Sequence, residues 1–251
     1  AARDDYFDRP EFRSMLTTSA PIDPELWIRL EKRFSKPVVN EYGMTETVAA
    51  SHFAGPHPEM GGRFTIGLPV GCDAAIIDPQ TGQHMPKGEV GELCLRGGNI
   101  FQGYFGSPEE TAKVFRDGWF RTGDLGHMDE QRYVYITGRS SDMYISGGSN
   151  VYPREIEELL LTHPALSEVA ILGMPHPRWG EVGLAVCTLE DGAEVTAAEL
   201  TALLEPKLAK YKLPHSYVFL DDMPKTGYGK ITKKLVREEL QARGLWPDEA
   251  A

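Results

Sequence analysis

The sequence predicts a mixed α/β and α+β protein: the end of a large α/β domain with a small β-barrel-like subdomain, followed by a small mixed α+β domain. Three observations predict this. An amphipathic helical pattern beside a short apolar run opens the chain, short alternating runs fill its middle, and helical and strand patterns alternate beyond Ser140. With 251 residues, of which 41% are hydrophobic, the chain can bury a core in each part.

The first part of the chain, residues 1–62, is predicted to be the remnant of an α/β layer. Apolar side chains recur at helical spacing after Asp23-Pro24, a pair that suits the start of a helix: Leu26, Trp27, Leu30 and Phe34. Residues 36–40 are predicted to form a short buried strand that leads into a loop at 41–46. One strand and loop of an α/β sheet are therefore expected, without the earlier strands.

Residues 63–141 are predicted to form a β-rich subdomain, because short alternating runs are separated by turns that contain proline and glycine. We place a domain boundary at Ser141. Residues 142–251 then form a second domain of alternating patterns, with helices at 153–161, 197–208 and 232–242 and strands at 169–173, 184–189 and 217–220.

Charge and composition exclude several function classes. The formal net charge of −11 disfavours nucleic acid and anionic membranes as partners, because both would be repelled at long range. No apolar stretch approaches the roughly 18 residues of a membrane span, and the first residues lack the apolar segment of a signal peptide. The 3 cysteines form no paired motif, so we expect a reduced, cytoplasmic protein.

Two segments in the first domain carry residue types that suit nucleotide chemistry. In Tyr42-Gly43-Met44-Thr45-Glu46, a glycine turn places a hydroxyl beside a carboxylate, which suits a nucleotide phosphate and its Mg²⁺. The same Thr-Glu pair could instead cap a helix. In Trp119-Phe120-Arg121-Thr122-Gly123-Asp124, an aromatic strand is predicted to end in a turn. Its carboxylate could accept hydrogen bonds from ribose hydroxyls or could be an ordinary turn aspartate.

Two further segments lie at and beyond the boundary. In the run from Gly138 to Glu157, the adjacent Gly147 and Gly148 predict a backbone that bends sharply or approaches another group closely. Pro153 then stands at the favoured first position of a helix. In Pro224-Lys225-Thr226-Gly227-Tyr228-Gly229-Lys230-Ile231, a glycine-containing loop could bring an ammonium group to a phosphate, or could be a solvated hairpin with surface lysines.

In this order and spacing, the four segments resemble the adenylate-forming superfamily of acyl-CoA synthetases, nonribosomal peptide adenylation domains and beetle luciferases. Four further stretches share the resemblance, which covers essentially the whole chain: Thr18-Ser19-Ala20-Pro21, Gly91-Glu92-Leu93, Gly103-Tyr104 and Lys212-Leu213-Pro214. The sequence therefore looks like the C-terminal half of an AMP-binding acyl-CoA synthetase.

The resemblance implies an acid-thiol ligase that works in two steps. A small carboxylic acid attacks ATP to give an acyl-adenylate, and coenzyme A then displaces AMP, as in fatty acid metabolism. The implied roles are Mg²⁺ binding by Glu46, α-phosphate binding by Thr45, and catalysis of adenylation by Lys230. The implied nucleotide-binding residues are Ser19, Ala20 and Tyr42 at the adenine, and Asp124 and Arg139 at the ribose. A homodimer is compatible with the resemblance.

The resemblance also implies that residues 142–251 form a mobile lid with its hinge at Ser141. After adenylation the lid would rotate, so that Gly147 and Gly148 replace Lys230 and line a tunnel for the pantetheine arm of CoA. The family usually has Asp or Lys at the hinge position, and Tyr228 stands where a smaller residue is frequent. These two departures concern the mobility of the hinge and the closure of the lysine loop.

One feature of the family, a phosphate-wrapping loop, is missing from the sequence. The sequence has no Ser/Thr/Gly-rich loop followed by Pro-Lys-Gly, which the family uses to wrap the β- and γ-phosphates. We therefore expect the active protein to be longer and this chain to adenylate nothing alone. A carrier-loading adenylation domain and a noncatalytic nucleotide-binding module remain alternatives.

We expect His52 and His57 to be solvated rather than metal-bound, and Trp179 to be packed.

Overall fold

The computed structural model describes residues 9–19, 22, 24–55, 64–227 and 229–247. The chain divides into two compact units, Ala1–Thr137 and Gly138–Ala251. Ser141 lies near the start of the second unit, and its action as a hinge stays a prediction. Ala20, His57 and Tyr228 lie outside the described residues. Within the described ranges, no helix is both long and apolar enough to cross a membrane.

The first unit opens with a strand, a helix and a second strand that runs parallel to the first. The elements are β1 (Met15–Thr18), α1 (Pro24–Phe34), β2 (Val38–Gly43), β3 (Ala50–Ala54) and β4 (Leu68–Pro69), in sheet order β1-β2-β3-β4. β1 pairs with β2 in parallel, and β3 is antiparallel to β2. Trp27 of α1 is buried against Val38 and Ala54, so the predicted amphipathic helix packs its apolar side on this sheet.

A five-stranded sheet forms the rest of the first unit. Its elements are β5 (Cys72–Ile77), β6 (Gly91–Gly97), α2 (Pro108–Val114), β7 (Phe115–Arg116), β8 (Trp119–Met128) and β9 (Val134–Arg139). The order is β5-β6-β8-β7, and β9 also pairs with β8. Leu93, Leu95 and Phe120 are fully buried in its core. This sheet is the β-rich subdomain that the alternating runs predicted.

One local prediction in this sheet is wrong. The aromatic strand at Trp119 does not end in a turn before Asp124, because β8 continues to Met128. The register of β8 against β6 shifts at the bulge opposite Glu92, and Gly123 adopts a φ of 75° there. Asp124 is therefore a buried strand residue beside a bulge.

The second unit is a mixed sheet with helices on both faces. Its elements are β10 (Tyr144–Ser146), β11 (Ser149–Val151), α3 (Pro153–Leu160), β12 (Leu166–His176), β13 (Gly180–Leu189), α4 (Ala197–Leu204), β14 (Pro214–Phe219) and α5 (Lys233–Ala242). The sheet order is β11-β10-β13-β12, and β14 pairs with β13 in parallel. The three predicted helices and three predicted strands of this unit are all present.

Alternation along β12 explains the two helical layers. Ile171 packs into a cluster with Ile156 of α3 and Leu200 of α4, whereas its neighbour Leu172 packs into a second cluster with Val236 of α5. Successive side chains of a strand point to opposite faces, so β12 contributes to both cores. A strand buried on both faces reads as a continuous apolar run, as residues 169–173 do.

The helix ends differ modestly from the predicted ones. Thr232 is the N-cap of α5, and its side chain accepts a hydrogen bond from the Leu235 backbone N–H. Pro153 opens α3, as predicted. Helix α4 ends at Leu204 rather than at residue 208, because the following residues form turns, although Leu208 is still buried in the same core.

Candidate functional site

The loop after β2 holds the predicted hydroxyl and carboxylate on a single turn of 3-10 helix, Thr45–Thr47. The capping role falls to Thr47 rather than to Thr45 or Glu46, because the Met44 backbone N–H donates to Thr47 Oγ1 at 3.0 Å. The side chain of Thr45 is exposed. The helix-cap alternative therefore does not account for the Thr45-Glu46 pair.

The backbone of this loop is strained. Val48 has a φ of 62° and is 78% exposed, although β-branched residues rarely adopt the left-handed region. A Cβ on Gly43 would lie 2.6 Å from the carbonyl oxygen of Ala49, so only glycine fits there. Strain of this kind clusters at functional sites, where the surrounding structure enforces it.

The structure brings Tyr42 and Asp124 together across 82 residues of sequence. The Tyr42 hydroxyl donates to Asp124 Oδ2 at 2.6 Å, a short hydrogen bond to a carboxylate that is only 5% exposed. Glu92 supports the same stretch of β8: it pairs with Arg121 at 2.7 Å and accepts from the Gly123 backbone N–H at 3.1 Å. Two of the predicted nucleotide-binding residues thus lie in direct contact.

Glu46 is also engaged by a tyrosine. The Tyr104 hydroxyl donates to Glu46 Oε1 at 3.0 Å, and the Phe101 backbone N–H donates to the Glu46 carbonyl oxygen at 2.8 Å. The described residues give Glu46 Oε2 no hydrogen-bond partner. Sequence reasoning noted Gly103-Tyr104 as part of the resemblance but assigned it no role.

Ser19, Arg139 and Ser141 lie at the end of a strand or just beyond it. Ser19 follows β1 with a φ of 72° and is exposed. Arg139 ends β9 and, like Ser141, is exposed in the second unit. The Ser141 hydroxyl donates to Asp142 Oδ1 at 3.1 Å.

The adjacent glycines form a tight β-hairpin turn. Gly147 and Gly148 link β10 to β11 with φ values of 57° and 82°, the combination that a two-residue hairpin of the primed type requires. The indole of Trp179 covers this turn: a Cβ on Gly147 would lie 2.9 Å from Trp179 Cε3, whereas a Cβ on Gly148 would meet nothing within 4 Å. Gly148 is therefore the open side of the turn.

Trp179 was expected to be packed, and the structure gives it a more specific place. It contacts the turn at Gly147, its carbonyl oxygen accepts from the Gly147 N–H at 2.8 Å, and 43% of it is exposed. Arg178 lies 4.9 Å from its ring centroid. The sequence signal that could have found it is the Trp-Gly pair at a strand start, but the contact joins segments 32 residues apart.

Lys230 lies on a small loop ahead of α5. The Thr226 N–H donates to the Lys230 carbonyl oxygen at 2.8 Å, and the Lys230 N–H donates to Thr226 Oγ1 at 3.1 Å. Gly229 adopts a φ of 78°. The Lys230 side chain is exposed, and no carboxylate of the described residues forms an ion pair with it. The loop thus presents an uncommitted ammonium group.

An ion pair that sequence reasoning missed lies inside the second unit. Lys233, the first residue of α5, contacts the Glu157 carboxylate of α3, which also accepts from the Ile171 backbone N–H at 2.8 Å. Both charged side chains are largely buried, and burial lowers the pKa of Lys233 to about 8 although Asp142 opposes the shift. The pair connects the helix after the Gly147-Gly148 turn to the helix after the Lys230 loop.

The expectation for His52 is wrong. It is fully buried in β3, not solvated in a loop, and Ser51 Oγ lies 3.1 Å from its Nδ1. Burial lowers its pKa to about 4, so the imidazole is neutral at physiological pH. No group of three or more His, Cys, Asp or Glu side chains in the described ranges could hold a metal ion.

Comparisons with known proteins give a consistent result. The profile of AMP-binding enzymes matches residues 1–105, and that of the AMP-binding enzyme C-terminal domain matches residues 155–230. An indoleacetate–CoA ligase of Aromatoleum aromaticum is 40% identical over 224 residues, which are 89% of this chain and 44% of the relative. A long-chain-fatty-acid–CoA ligase of Bacillus subtilis is 38% identical over 93% of this chain and 42% of the relative.

Solved structures agree with these relatives. ATP-bound MatB from Rhodopseudomonas palustris has a TM-score of 0.84 at 35% identity, over 94% of this chain and 49% of that one. The o-succinylbenzoate CoA synthetase of Bacillus subtilis in complex with its acyl-adenylate has a TM-score of 0.82 at 34% identity, over 93% and 46% of the two chains. The chain therefore spans about half the length of the relatives it matches.

Proposed function

Because this chain belongs to the family of AMP-binding enzymes, we propose that it carries the adenylation and thioester-forming machinery of an acyl-CoA ligase. The enzyme converts a carboxylic acid into its acyl-adenylate with ATP and then into a thioester with coenzyme A. The observation that supports this best is the contact between Tyr42 and Asp124, because two family motifs 82 residues apart meet at one buried carboxylate.

We assign the nucleotide to the first unit. Asp124, oriented by Tyr42 and by the Glu92-supported bulge, would accept hydrogen bonds from the ribose hydroxyls. Thr45, whose side chain is exposed, would contact the α-phosphate. The adenine is assigned to Tyr42, Ser19 and Ala20, and Arg139 would assist at the ribose.

The residues present fit Mg²⁺. Magnesium is usually bound by one or two carboxylates together with substrate phosphates, rather than by a complete protein cage. Glu46 offers one carboxylate oxygen, Oε2, that has no partner among the described residues, and the same part of the chain holds no larger cluster of metal ligands. When bound, Mg²⁺ would neutralise phosphate charge. Glu46 would hold it beside the Thr45 hydroxyl.

We assign the two chemical steps to two loops of the second unit. Lys230 has an exposed ammonium group without an ion-pair partner in the described residues, and it would stabilise the negative charge that develops during adenylation. The turn at Gly147 and Gly148 would line the path of the pantetheine arm, because its open side at Gly148 leaves room for a narrow chain. Rotation of the lid about Ser141 would exchange the two loops.

We further propose that activity requires residues beyond these 251. The curated relatives are about twice as long as the matched region. The sequence has one Pro-Lys-Gly tripeptide, at 86–88, and it follows Gln83-His84-Met85 rather than a Ser/Thr/Gly-rich loop. The relatives are named for different acids, so the proposal extends to carboxylic acids as a class.

Separate measurement of the half-reactions tests the proposed function in the protein that contains this sequence. Lys230→Ala should slow single-turnover adenylate formation by about 100-fold or more, the usual effect of losing one charge-stabilising group, and should spare thioester formation from supplied acyl-adenylate. Lys234→Ala is the control, since that neighbouring lysine is 83% exposed. Equal loss of both half-reactions in Lys230→Ala would contradict the assignment.

Gly148→Leu should have the converse effect, because a side chain there would obstruct the pantetheine path rather than the ATP site. Gly192→Leu is a matched control: Gly192 also has a positive φ, 73°, and open space where a Cβ would lie. Both substitutions place leucine at a positive φ, so the two variants carry similar backbone strain. If Gly192→Leu slowed thioester formation as much as Gly148→Leu, strain rather than obstruction would be the cause.

A further assay separates this function from carrier loading. An acyl-CoA ligase forms the CoA thioester when CoA is added without any carrier protein.

A further inference from the structure

The phenol of Tyr104 reaches the Glu46 carboxylate from a segment 58 residues away. The side chain donates to Oε1 at 3.0 Å, and the backbone of the same segment, at Phe101, donates to the Glu46 carbonyl oxygen at 2.8 Å. Two hydrogen bonds therefore attach the Phe101–Tyr104 segment to the Thr45–Thr47 turn, one to the backbone and one to the side chain of the same residue.

The fold, rather than a chance surface contact, sets the position of Tyr104. Its ring meets Phe101 edge-on with centroids 4.9 Å apart, and Phe101 in turn packs against Phe115 and Phe120 at 5.6 and 5.3 Å. The Tyr104 backbone N–H donates to Thr111 Oγ1 at 2.9 Å. Tyr104 is 38% exposed, and the aromatic contact on one side and the backbone hydrogen bond on the other restrict the movement of its phenol.

Glycine at position 103 makes this arrangement possible. Gly103 has a φ of 150°, and a Cβ there would lie 2.7 Å from the Thr111 methyl group. A side chain at position 103 would be strained at this φ and would crowd the Thr111 side chain, whose Oγ1 accepts from the Tyr104 N–H. The Gly103-Tyr104 pair is therefore a structural unit in which the first residue allows the second to reach the carboxylate.

In this contact Tyr104 is the donor and one oxygen of Glu46 is the acceptor. An ionised carboxylate has only acceptor oxygens, so the Tyr104 hydroxyl is the donor in this contact. It occupies Oε1 and leaves Oε2, which has no partner among the described residues, for another ligand. A carboxylate held by one oxygen presents the other in a fixed direction.

We propose that Tyr104 is a positioning residue for magnesium: its hydroxyl fixes the Glu46 carboxylate so that Oε2 is presented to the cation of the bound nucleotide. This inference rests on the proposed function, because it takes Glu46 to be the magnesium ligand. It adds a residue that holds that ligand and touches neither substrate nor metal.

The test is Tyr104→Phe in the protein that contains this sequence. The variant keeps the aromatic packing and loses only the hydroxyl. The Mg²⁺ concentration that gives half-maximal acid-dependent ATP–pyrophosphate exchange should rise about tenfold, the lower end of the effect of losing a group that orients a metal ligand. Thioester formation from supplied acyl-adenylate should be unchanged, because that step needs no pyrophosphate complex.

A binding measurement gives a readout independent of turnover. Electron paramagnetic resonance of free Mn²⁺, with α,β-methylene-ATP present, should show weaker Mn²⁺ binding in Tyr104→Phe by a similar factor. Tyr135→Phe is the matched control, because it removes another phenol–carboxylate hydrogen bond of the same unit, from Tyr135 to Asp129 Oδ2 at 3.3 Å, away from Glu46. It should leave both metal midpoints within about twofold of wild type, since no ligand is displaced.

The outcomes separate the two hypotheses. Unchanged metal midpoints in Tyr104→Phe, or an equal shift in Tyr135→Phe, would overturn the positioning role while leaving the ligase function intact. Wild-type protein that neither exchanges pyrophosphate nor binds Mn²⁺ with the nucleotide analogue would overturn the proposed function itself, and the inference with it. A tenfold shift confined to Tyr104→Phe supports it.

Discussion

Two carboxylates of the first unit, Glu46 and Asp124, each accept a hydrogen bond from a tyrosine hydroxyl. Phenols suit this role because they donate at neutral pH without adding charge, so the carboxylates keep their affinity for cations and hydroxyl groups. Tyr42 was predicted to be a site residue and Tyr104 was not. The difference arises because Tyr42 lies beside Glu46 in sequence, whereas Tyr104 approaches it only through the fold.

At the residue scale, His52 should make stability depend on pH. Its folded-state pKa of about 4 lies below the ordinary 6.5, so the unfolded chain binds the proton more readily between these values. The contribution of neutral His52 is complete above pH 6.5 and is lost as pH falls towards 4. Between pH 7 and 5, this group should cost about 2 kcal/mol of unfolding free energy.

The measurement is urea unfolding of wild type and His52→Gln at both pH values. The variant should lose about 2 kcal/mol less than wild type between pH 7 and 5, whatever its stability at pH 7. His84→Gln, which replaces an exposed imidazole, should keep the wild-type dependence. An unaltered pH slope in His52→Gln would show that the histidine is not the group that titrates.

At the element scale, local periodicity predicted more than turn signals did. Helices α1, α3 and α5 follow from apolar spacing and from their first residues, because both signals are contained in one segment. Helix α2 was not predicted, since none of its residues is buried and no apolar stripe marks it. The course of β8 past Asp124 depends on Glu92 of another strand, which local patterns cannot reveal.

The Glu157–Lys233 pair should stabilise the second unit. Glu157→Gln would leave the largely buried ammonium of Lys233 without its contacting carboxylate, and breaking such a pair costs about 3 kcal/mol. Glu158→Gln is the control one residue away: its partner Arg154 lies at 2.6 Å, but the Glu158 side chain is 60% exposed. Exposed pairs contribute about 0.5 kcal/mol.

Denaturant unfolding of the two variants decides this prediction, because both replace Glu by Gln on the same helix. Glu157→Gln should shift the unfolding midpoint clearly and Glu158→Gln barely. Similar midpoints for the two variants would mean that the buried pair contributes no more than a surface one.

At the scale of the whole molecule, the resemblance predicted the family correctly, and the roles of the site residues stay predictions. Motif order indicated Tyr42, Glu46 and Asp124, and the structure joins Tyr42 to Asp124. It gave Tyr104 no role and did not indicate the Trp179 contact or the Glu157–Lys233 pair, because each contact joins segments far apart in sequence. Contacts between distant segments leave weaker signals in the sequence than motifs contained in one segment do.

The isolated 251-residue chain should not support acid-dependent ATP–pyrophosphate exchange, because its sequence has no Ser/Thr/Gly-rich loop followed by Pro-Lys-Gly and it spans about half the length of its relatives. Exchange should be measured over a panel of fatty, aromatic and amino acids, with a longer protein containing this sequence as the positive control. Robust exchange by the isolated chain would contradict the prediction.

The ion pair between Glu157 and Lys233 ties the helix behind the glycine hairpin to the helix behind the lysine loop. If the two loops serve the two half-reactions as proposed, substitutions in either loop would change one half-reaction and leave this ion pair intact. Substitution of Glu157 or Lys233 would instead destabilise the helices that support both loops. In related sequences, the loop residues should accordingly vary more than Glu157 and Lys233 do.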